Sequence, residues 1–503
     1  MQSEVWLERS QRFLWAFFLI ALPVTNFRYF PSGFGGSTQV RPLSLYPLLG
    51  LLLIVVLPRL LKKPLPGAFL PLLLFSLSAS ASSVLALNRP VLSSFEFSVT
   101  DRVIRTLLTL AIGGAFYAAT ALTPQTKVNL RQSLRWLYAG LALALFWGSL
   151  QAVYVIHFSR PYFEFLSRLQ TSFSVLRLFE QRISGMTLEP SWFGEQIAFL
   201  LMPFLFASLI SRYSVFRWRW KGVTIEALLL IWATGVLVFT FSRIGLALFV
   251  GQLVLVLLFR PGRQGRALVN RIPWRAMLKR FGQVVLALVV LVGVLMAVGS
   301  KSNYFARMWT YFTDERATGS YFQYIAFSQR FTYWGTAYQI FEDYPWMGVG
   351  LGTYTFYFDD YMIDQPLTPS PELLTKLVPE LNRNRTSTSK SFFPRLLAET
   401  GVVGTGIFIA FLLVLLGYAI FLASSSDAEA RFWGRAGLLG WILFFAVTLS
   451  YDSFSVPNIW IVFGLNTAAF QIFSVAHGEE AGQLKSPGQL SVTTNSISEP
   501  SGS

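Results

Sequence analysis

The sequence predicts an all-α polytopic integral membrane protein with about twelve spanning helices, since a helix needs roughly 20 apolar residues to cross about 30 Å of hydrocarbon. Three observations carry this expectation. Of 503 residues, 53% are hydrophobic and only 13% charged, whereas a soluble domain has about 25% charged residues. Segments of spanning length recur near 12–25, 43–61, 67–87, 103–122, 134–157, 193–211, 223–241, 244–259, 282–299, 395–423, 435–451 and 456–475. None alternates as a membrane β-barrel strand would, and backbone left unpaired in lipid is too costly for anything but helices.

The elements follow in order. Residues 13–24 come after Arg9 and Arg12 and resemble a signal peptide, but no small-x-small cleavage site follows, so they read as an uncleaved first span. The run 223–259 is ambiguous. As one helix it would reach roughly 55 Å at about 1.5 Å per residue, so two spans reversing at Thr240-Phe241-Ser242-Arg243 fit better.

Charge sets the orientation. The net charge of +16 is concentrated in short connections: Arg59, Lys62 and Lys63; Lys127, Arg131 and Arg135; Arg212, Arg217, Arg219 and Lys221; then the basic run 260–281. These all fall on one side when the N-terminus is cytoplasmic, as the positive-inside rule requires. Both termini are then expected in the cytoplasm. No basic soluble domain exists to serve nucleic acid.

The chain therefore divides into spans one to nine over 1–299, an external loop over 300–394, spans ten to twelve over 395–475, and a polar tail over 476–503 expected to be disordered. Within the first part, 158–192 mixes aromatic and basic residues and suits a helix lying in the interface. In the external loop, 364–391 is rich in Pro, Ser, Thr and Asn and is expected to be its mobile part. Cysteine is absent, which removes thiol chemistry, and the two histidines, His157 and His477, are far apart, so no metal site is expected.

Three stretches stand out from generic membrane composition: 182–194, opening Arg182-Ile-Ser-Gly and containing Glu189-Pro-Ser; Thr240-Phe-Ser-Arg243-Ile-Gly245; and Arg330-Phe-Thr-Tyr-Trp through Gly348, Gly350 and Gly352, followed by Glu399-Thr-Gly401-Val-Val-Gly404. In this order, with a long loop between the ninth and tenth spans, they resemble the bacterial O-antigen polymerase and ligase superfamily over roughly residues 180–420. The resemblance implies a GT-C-like glycosyltransferase of the inner membrane. It would act on undecaprenyl-diphosphate-linked glycan on the outer side, without cofactor or metal, beside membrane lipid and a flippase or chain-length regulator. One departure bears on the reaction. In ligases a His-Asn pair precedes the Glu of Glu-x-Gly by nine residues, and here that register holds Lys390-Ser391. The ligase histidine is absent, which shifts weight to a polymerase.

The residues themselves point the same way. Arg182, Arg243 and Arg330 all fall near the external boundary, where arginines are costly unless functional or paired. A guanidinium matches phosphate bidentately and stays charged, so these three are candidate diphosphate-binding groups, with Arg243 and Arg330 also catalytic. The plainer reading is headgroup snorkelling or pairing with Glu. Glu189 is the candidate base, with helix capping or an Arg182 pair as its structural alternative. Glu195 and Lys390 are candidates on the acceptor side, and Glu399 is expected to orient an arginine. The glycines at 348, 350 and 352 lack a nucleotide-binding strand–helix context and read as a tight turn. A polymerase, a ligase, a protein O-oligosaccharyltransferase and a lipid-linked oligosaccharide flippase all remain open.

Overall fold

The computed structural model describes residues 2–30, 40–62, 64–89, 98–258, 329–362 and 387–485, with scattered helical positions between 281 and 296. Among these residues, eight helices are long and apolar enough to cross a membrane. They are α2 (Leu45–Lys62), α3 (Phe69–Leu87), α4 (Val99–Leu122), α5 (Lys127–Ile156), α7 (Pro190–Ser211), α12 (Phe392–Ser424), α13 (Ala428–Val447), and the Pro457–Val475 part of α14 (Pro457–Lys485). The first helix, α1 (Gln2–Ala21), starts earlier than the expected span and carries a polar first half, so its composition falls short of the others. Two shorter apolar helices, α8 (Ile225–Thr240) and α9 (Arg243–Leu258), replace the single long run. Half of the expected span 282–299 lies outside the described residues, its described positions being helical, and so does nearly all of the basic 260–281 loop.

Local chemistry explains these boundaries. Ser98, Thr126 and Thr224 cap α4, α5 and α8, each side-chain oxygen accepting from the backbone N–H three residues on. Between α8 and α9 the chain reverses through Phe241, whose φ of 47° is left-handed, and Ser242 Oγ then accepts from Gly245 N at 3.1 Å to start α9.

The loops fall into two sets, and the helices alternate between them. On one face, Arg131 donates to Glu429 at 2.9 Å, Tyr213 donates to the same carboxylate at 2.9 Å, Lys127 meets Asp427 at 3.0 Å, and Ser214 donates to Glu226 at 2.8 Å. This is the face that the charge count assigns to the basic connections. The other face gathers two hydrogen-bonded groups of segments, 26–29 with 173–189 and 241–243, and 329–362 with 387–399 and 448–456.

At the centre stands α7. Its apolar window is 89% buried, against 33% for α3 and 28% for α2, which turn leucines outward as lipid-facing helices do. Small residues bring the helices close: a Cβ at Gly464 of α14 would lie 1.8 Å from Thr120 Oγ1 of α4, the close approach that small residues permit in membranes.

Four expectations need correction. Only α6 (Arg160–Phe173) of the 158–192 stretch is an amphipathic helix. Residues 174–189 instead return into the bundle, where Gln151 Oε1 accepts from Ser184 N and Gly185 N at 2.9 and 3.0 Å. Of the segment 364–391 expected to be mobile, 364–386 lies outside the described residues, while Lys390 and Ser391 are held by hydrogen bonds to Asp452 and Thr448. The helix α13 stops at Val447, not at 451. Its next carbonyl, Thr448 O, accepts from Phe392 N at 2.9 Å and Ser391 Oγ at 3.1 Å, so the chain is captured by the start of α12. Finally, α14 continues to Lys485, past the expected start of the tail at 476.

Candidate functional site

The first and second sequence stretches pack into one unit. A Cβ at Gly245 would lie 2.9 Å from Gly194 backbone, and one at Gly194 would lie 2.5 Å from Ser242 Cβ. The glycines are there because the first turns of α7 and α9 touch. Arg182 donates through Nε to Thr240 O at 3.0 Å and through Nη2 to Phe241 O at 3.5 Å. It thus satisfies carbonyls that the end of α8 leaves open, and it holds the turn on which Arg243 begins α9. Glu189 is exposed, and Ser191 Oγ donates to it at 3.1 Å. Glu195, at the end of the same turn, is buried. A π-helical turn, Gln196–Leu201, follows it directly, a local widening common at functional sites.

The third stretch builds a second, more heavily charged unit. Two helices from the 300–394 loop, α10 (Gln329–Asp343) and α11 (Tyr354–Met362), stack over the start of α12. Within α12, Gly401 breaks helical geometry at φ 61° and ψ −165°. The broken backbone is repaired by the glycine turn: Val349 N donates to Ala398 O at 3.0 Å, Gly350 N to Glu399 O at 2.9 Å, and Val402 N to Pro345 O at 2.8 Å. Gly348, at φ 67°, lies so near that a Cβ would sit 2.4 Å from Glu399 C. Gly348→Ala combines that collision with a left-handed φ, so it is expected to cost about 2–3 kcal/mol, read as a lower melting temperature in detergent.

The kink fixes Glu399. Arg395 Nε donates to Glu399 Oε2 at 3.0 Å, and Arg395 Nη1 donates to Asp452 O at 2.6 Å, with Asp452 Oδ1 at 3.9 Å. Arg395 and Glu399 are both buried. Lys390 has a left-handed φ of 53°, its N–H donates to Asp452 Oδ2 at 3.1 Å, and its carbonyl accepts from Arg330 Nη1 at 2.7 Å. Arg330 also donates to Leu449 O. The Lys390 ammonium lies 5.0 Å from the centre of the Tyr333 ring. Arg102 of α4 adds a further cation within electrostatic reach of Arg395, Glu399 and Asp452. Tyr354, whose N–H reaches Glu399 Oε1 at 3.3 Å, is buried, and burial holds its phenol well above the ordinary value. Among the described residues four cations, Arg102, Arg330, Lys390 and Arg395, thus gather around Glu399 and Asp452, on the face opposite the basic connections, while Glu342, Asp343, Asp359 and Asp360 lie on the two loop helices.

The two units meet at 451–458. A cavity of about 220 Å³ is lined by Trp192, Glu195 and Gln196 from α7 and by Tyr451, Asp452 and Asn458 from that segment. The structure thus brings Arg182 and the Arg243 turn together, brings Arg330 and Lys390 together, and joins the two sets through Glu195 and Asp452. Sequence reasoning named Arg182, Glu189, Glu195, Arg243, Arg330 and Lys390 as site residues, with Glu399 as an orienting group. It missed Arg102, Arg395, Tyr451, Asp452 and Asn458. Arg102 and Arg395 had a legible signal, an arginine at the external end of a span. Tyr451 and Asp452 had none, because the hydropathy of 435–451 hides the end of α13.

No curated protein matches the chain. The range 227–409 includes Arg243, Arg330, Lys390, Arg395 and Glu399, and ends before Asp452. Over those residues the chain matches the family described as O-antigen ligase, so this part of it carries a domain of that family, in keeping with the resemblance to the O-antigen polymerase and ligase superfamily.

Proposed function

We propose that the protein is a glycosyltransferase that polymerises undecaprenyl-diphosphate-linked oligosaccharide repeat units into O-antigen or exopolysaccharide. It works on the outer side of the bacterial inner membrane, with both termini in the cytoplasm. The observation that carries the reading is the group of fixed cations, Arg102, Arg330, Lys390 and Arg395, held around Glu399 and Asp452 beside a cavity on the face away from the basic connections. Transfer from a lipid diphosphate breaks the bond between the sugar anomeric carbon and a phosphate oxygen, and negative charge grows on the leaving diphosphate. Preorganised cations stabilise such charge without reorganising, and guanidinium does so with bidentate geometry. Fixed cations would stand in the place of a metal ion.

A ligase is the second reading, and the description of the matched family favours it. Lys390 at the register of the ligase histidine favours the polymerase. Purified protein in liposomes, given one lipid-diphosphate-linked repeat unit and no other acceptor, is expected to yield a ladder on a gel, also in the presence of EDTA. Product formed only after lipid A-core is added would make the protein a ligase and retire the polymerase reading.

A further inference from the structure

The cavity between the two charged units is built, apart from Asp452, from groups that the donor side leaves unused. Trp192 offers an aromatic face, Asp452 and Glu195 offer carboxylates, and Gln196, Asn458 and Tyr451 offer amides and a hydroxyl. Glu195 Oε1, Gln196 Oε1 and Tyr451 Oη are all buried, and none has a hydrogen-bond partner within the protein. A buried polar oxygen without a partner costs about 1–3 kcal/mol, and these three belong to neighbouring residues that line one cavity. They are groups held ready for a ligand. Its volume of about 220 Å³ lies below the roughly 300–1,000 Å³ of pockets for drug-sized ligands, and suits one sugar ring better than a whole repeat unit.

The chemistry of the lining selects the occupant. An anion is disfavoured by Glu195 and Asp452, and an apolar tail by the unsatisfied oxygens. A neutral polyhydroxylated ring satisfies both conditions, because its hydroxyls donate to the carboxylate and carboxamide oxygens and accept from Tyr451 and from Asn458, whose side chain is also hydrogen-bonded to Glu195. Burial, with the Glu195 carboxylate beside it, holds the Tyr451 phenol well above its ordinary value, so the hydroxyl remains a donor. Glu189 cannot serve in this cavity: it does not line it, and it is exposed and engaged by Ser191.

We propose that this cavity is the acceptor-sugar subsite, and that Glu195 is the group that takes the proton from the attacking hydroxyl. The inference rests on the glycosyltransferase reading. The acceptor oxygen forms a bond to the donor's anomeric carbon, and the bond from that carbon to the diphosphate oxygen breaks. The electron pair leaves with the lipid diphosphate, and the hydroxyl proton passes to the Glu195 carboxylate. Gln196, Tyr451 and Asn458 hold the remaining hydroxyls, and Trp192 covers the ring face.

The test uses the full chain in liposomes, with a lipid-diphosphate-linked repeat unit as donor and a water-soluble glycoside of the same repeat unit as acceptor. Donor binding is measured separately. Glu195→Gln is expected to lower the transfer rate at saturating acceptor by about 100-fold or more while donor binding stays within a factor of about three. Tyr451→Phe and Asn458→Ala are expected to raise the acceptor KM by about tenfold each, the effect of one lost hydrogen bond, with a smaller change in kcat. A wild-type rate in Glu195→Gln overturns the base assignment. An unchanged acceptor KM in both Tyr451→Phe and Asn458→Ala overturns the subsite, and these two decide the matter if Glu195→Gln fails to accumulate in the membrane. Absence of transfer by the wild-type protein both to the glycoside and to a second lipid-linked repeat unit is a different failure, that of the glycosyltransferase reading itself.

Discussion

Arg243→Lys and Arg330→Lys are each expected to abolish polymer while the protein still reaches the membrane. Lysine keeps the positive charge, so the loss would be one of geometry. A guanidinium is a flat fork that meets two phosphate oxygens at once, whereas an ammonium is a point charge on a flexible stem. Removing one such fixed donor typically costs about 100- to 1,000-fold in rate. The two positions differ in surroundings. Arg243 opens α9 on a turn already secured by Ser242 and Arg182, so its substitution leaves that scaffold in place. Arg330 also ties α10 to the carbonyls of Lys390 and Leu449. Its variant is therefore expected to melt a few degrees lower as well. The measurement is the gel ladder, normalised to folded protein by size exclusion. Wild-type ladders from both variants would remove these arginines from the chemistry.

Arg395→Met is expected to be the most destabilising single change among the polar residues. Its guanidinium bridges Glu399 and Asp452 out of solvent. Without it, the Glu399 carboxylate remains buried and the Asp452 carboxylate half-buried with diminished compensation, and breaking a buried pair this way costs about 3–5 kcal/mol. Glu399→Gln should cost less, because Arg395 keeps Asp452 and the amide can still accept from Arg395. Melting temperature and yield in detergent check both variants. Equal stability of Arg395→Met and the wild type would show that the cluster does not hold the 448–456 segment in place.

Much of the fold was legible because the bilayer acts as a solvent on local sequence. Hydropathy located the starts and ends of most spans within a few residues, and the density of arginine and lysine in short connections separated the two faces. The reversal at 240–243 was legible from length alone. The exceptions are instructive. Residues 174–189 carry the exposed-looking mixture of an interfacial segment, yet Gln151, some thirty positions earlier, draws Ser184 and Gly185 into the bundle. The end of α13 is set by Phe392 and Ser391, which take the Thr448 carbonyl from across the chain.

The candidate site divides along the same line. The sequence by itself determined the class of protein, the order of its helices, which loops share a face, and which arginines stand at the boundary of the face expected to be external. These depend on composition within windows of about twenty residues, the length that hydrocarbon thickness selects. Only the tertiary structure decided that Glu195 rather than Glu189 faces the cavity, that Lys390 and Arg330 share a backbone contact, and that Asp452 joins Arg395. Those pairings link residues about 60 to 260 positions apart, and they follow from close helix packing, where small residues and side-chain hydrogen bonds set which polar groups meet.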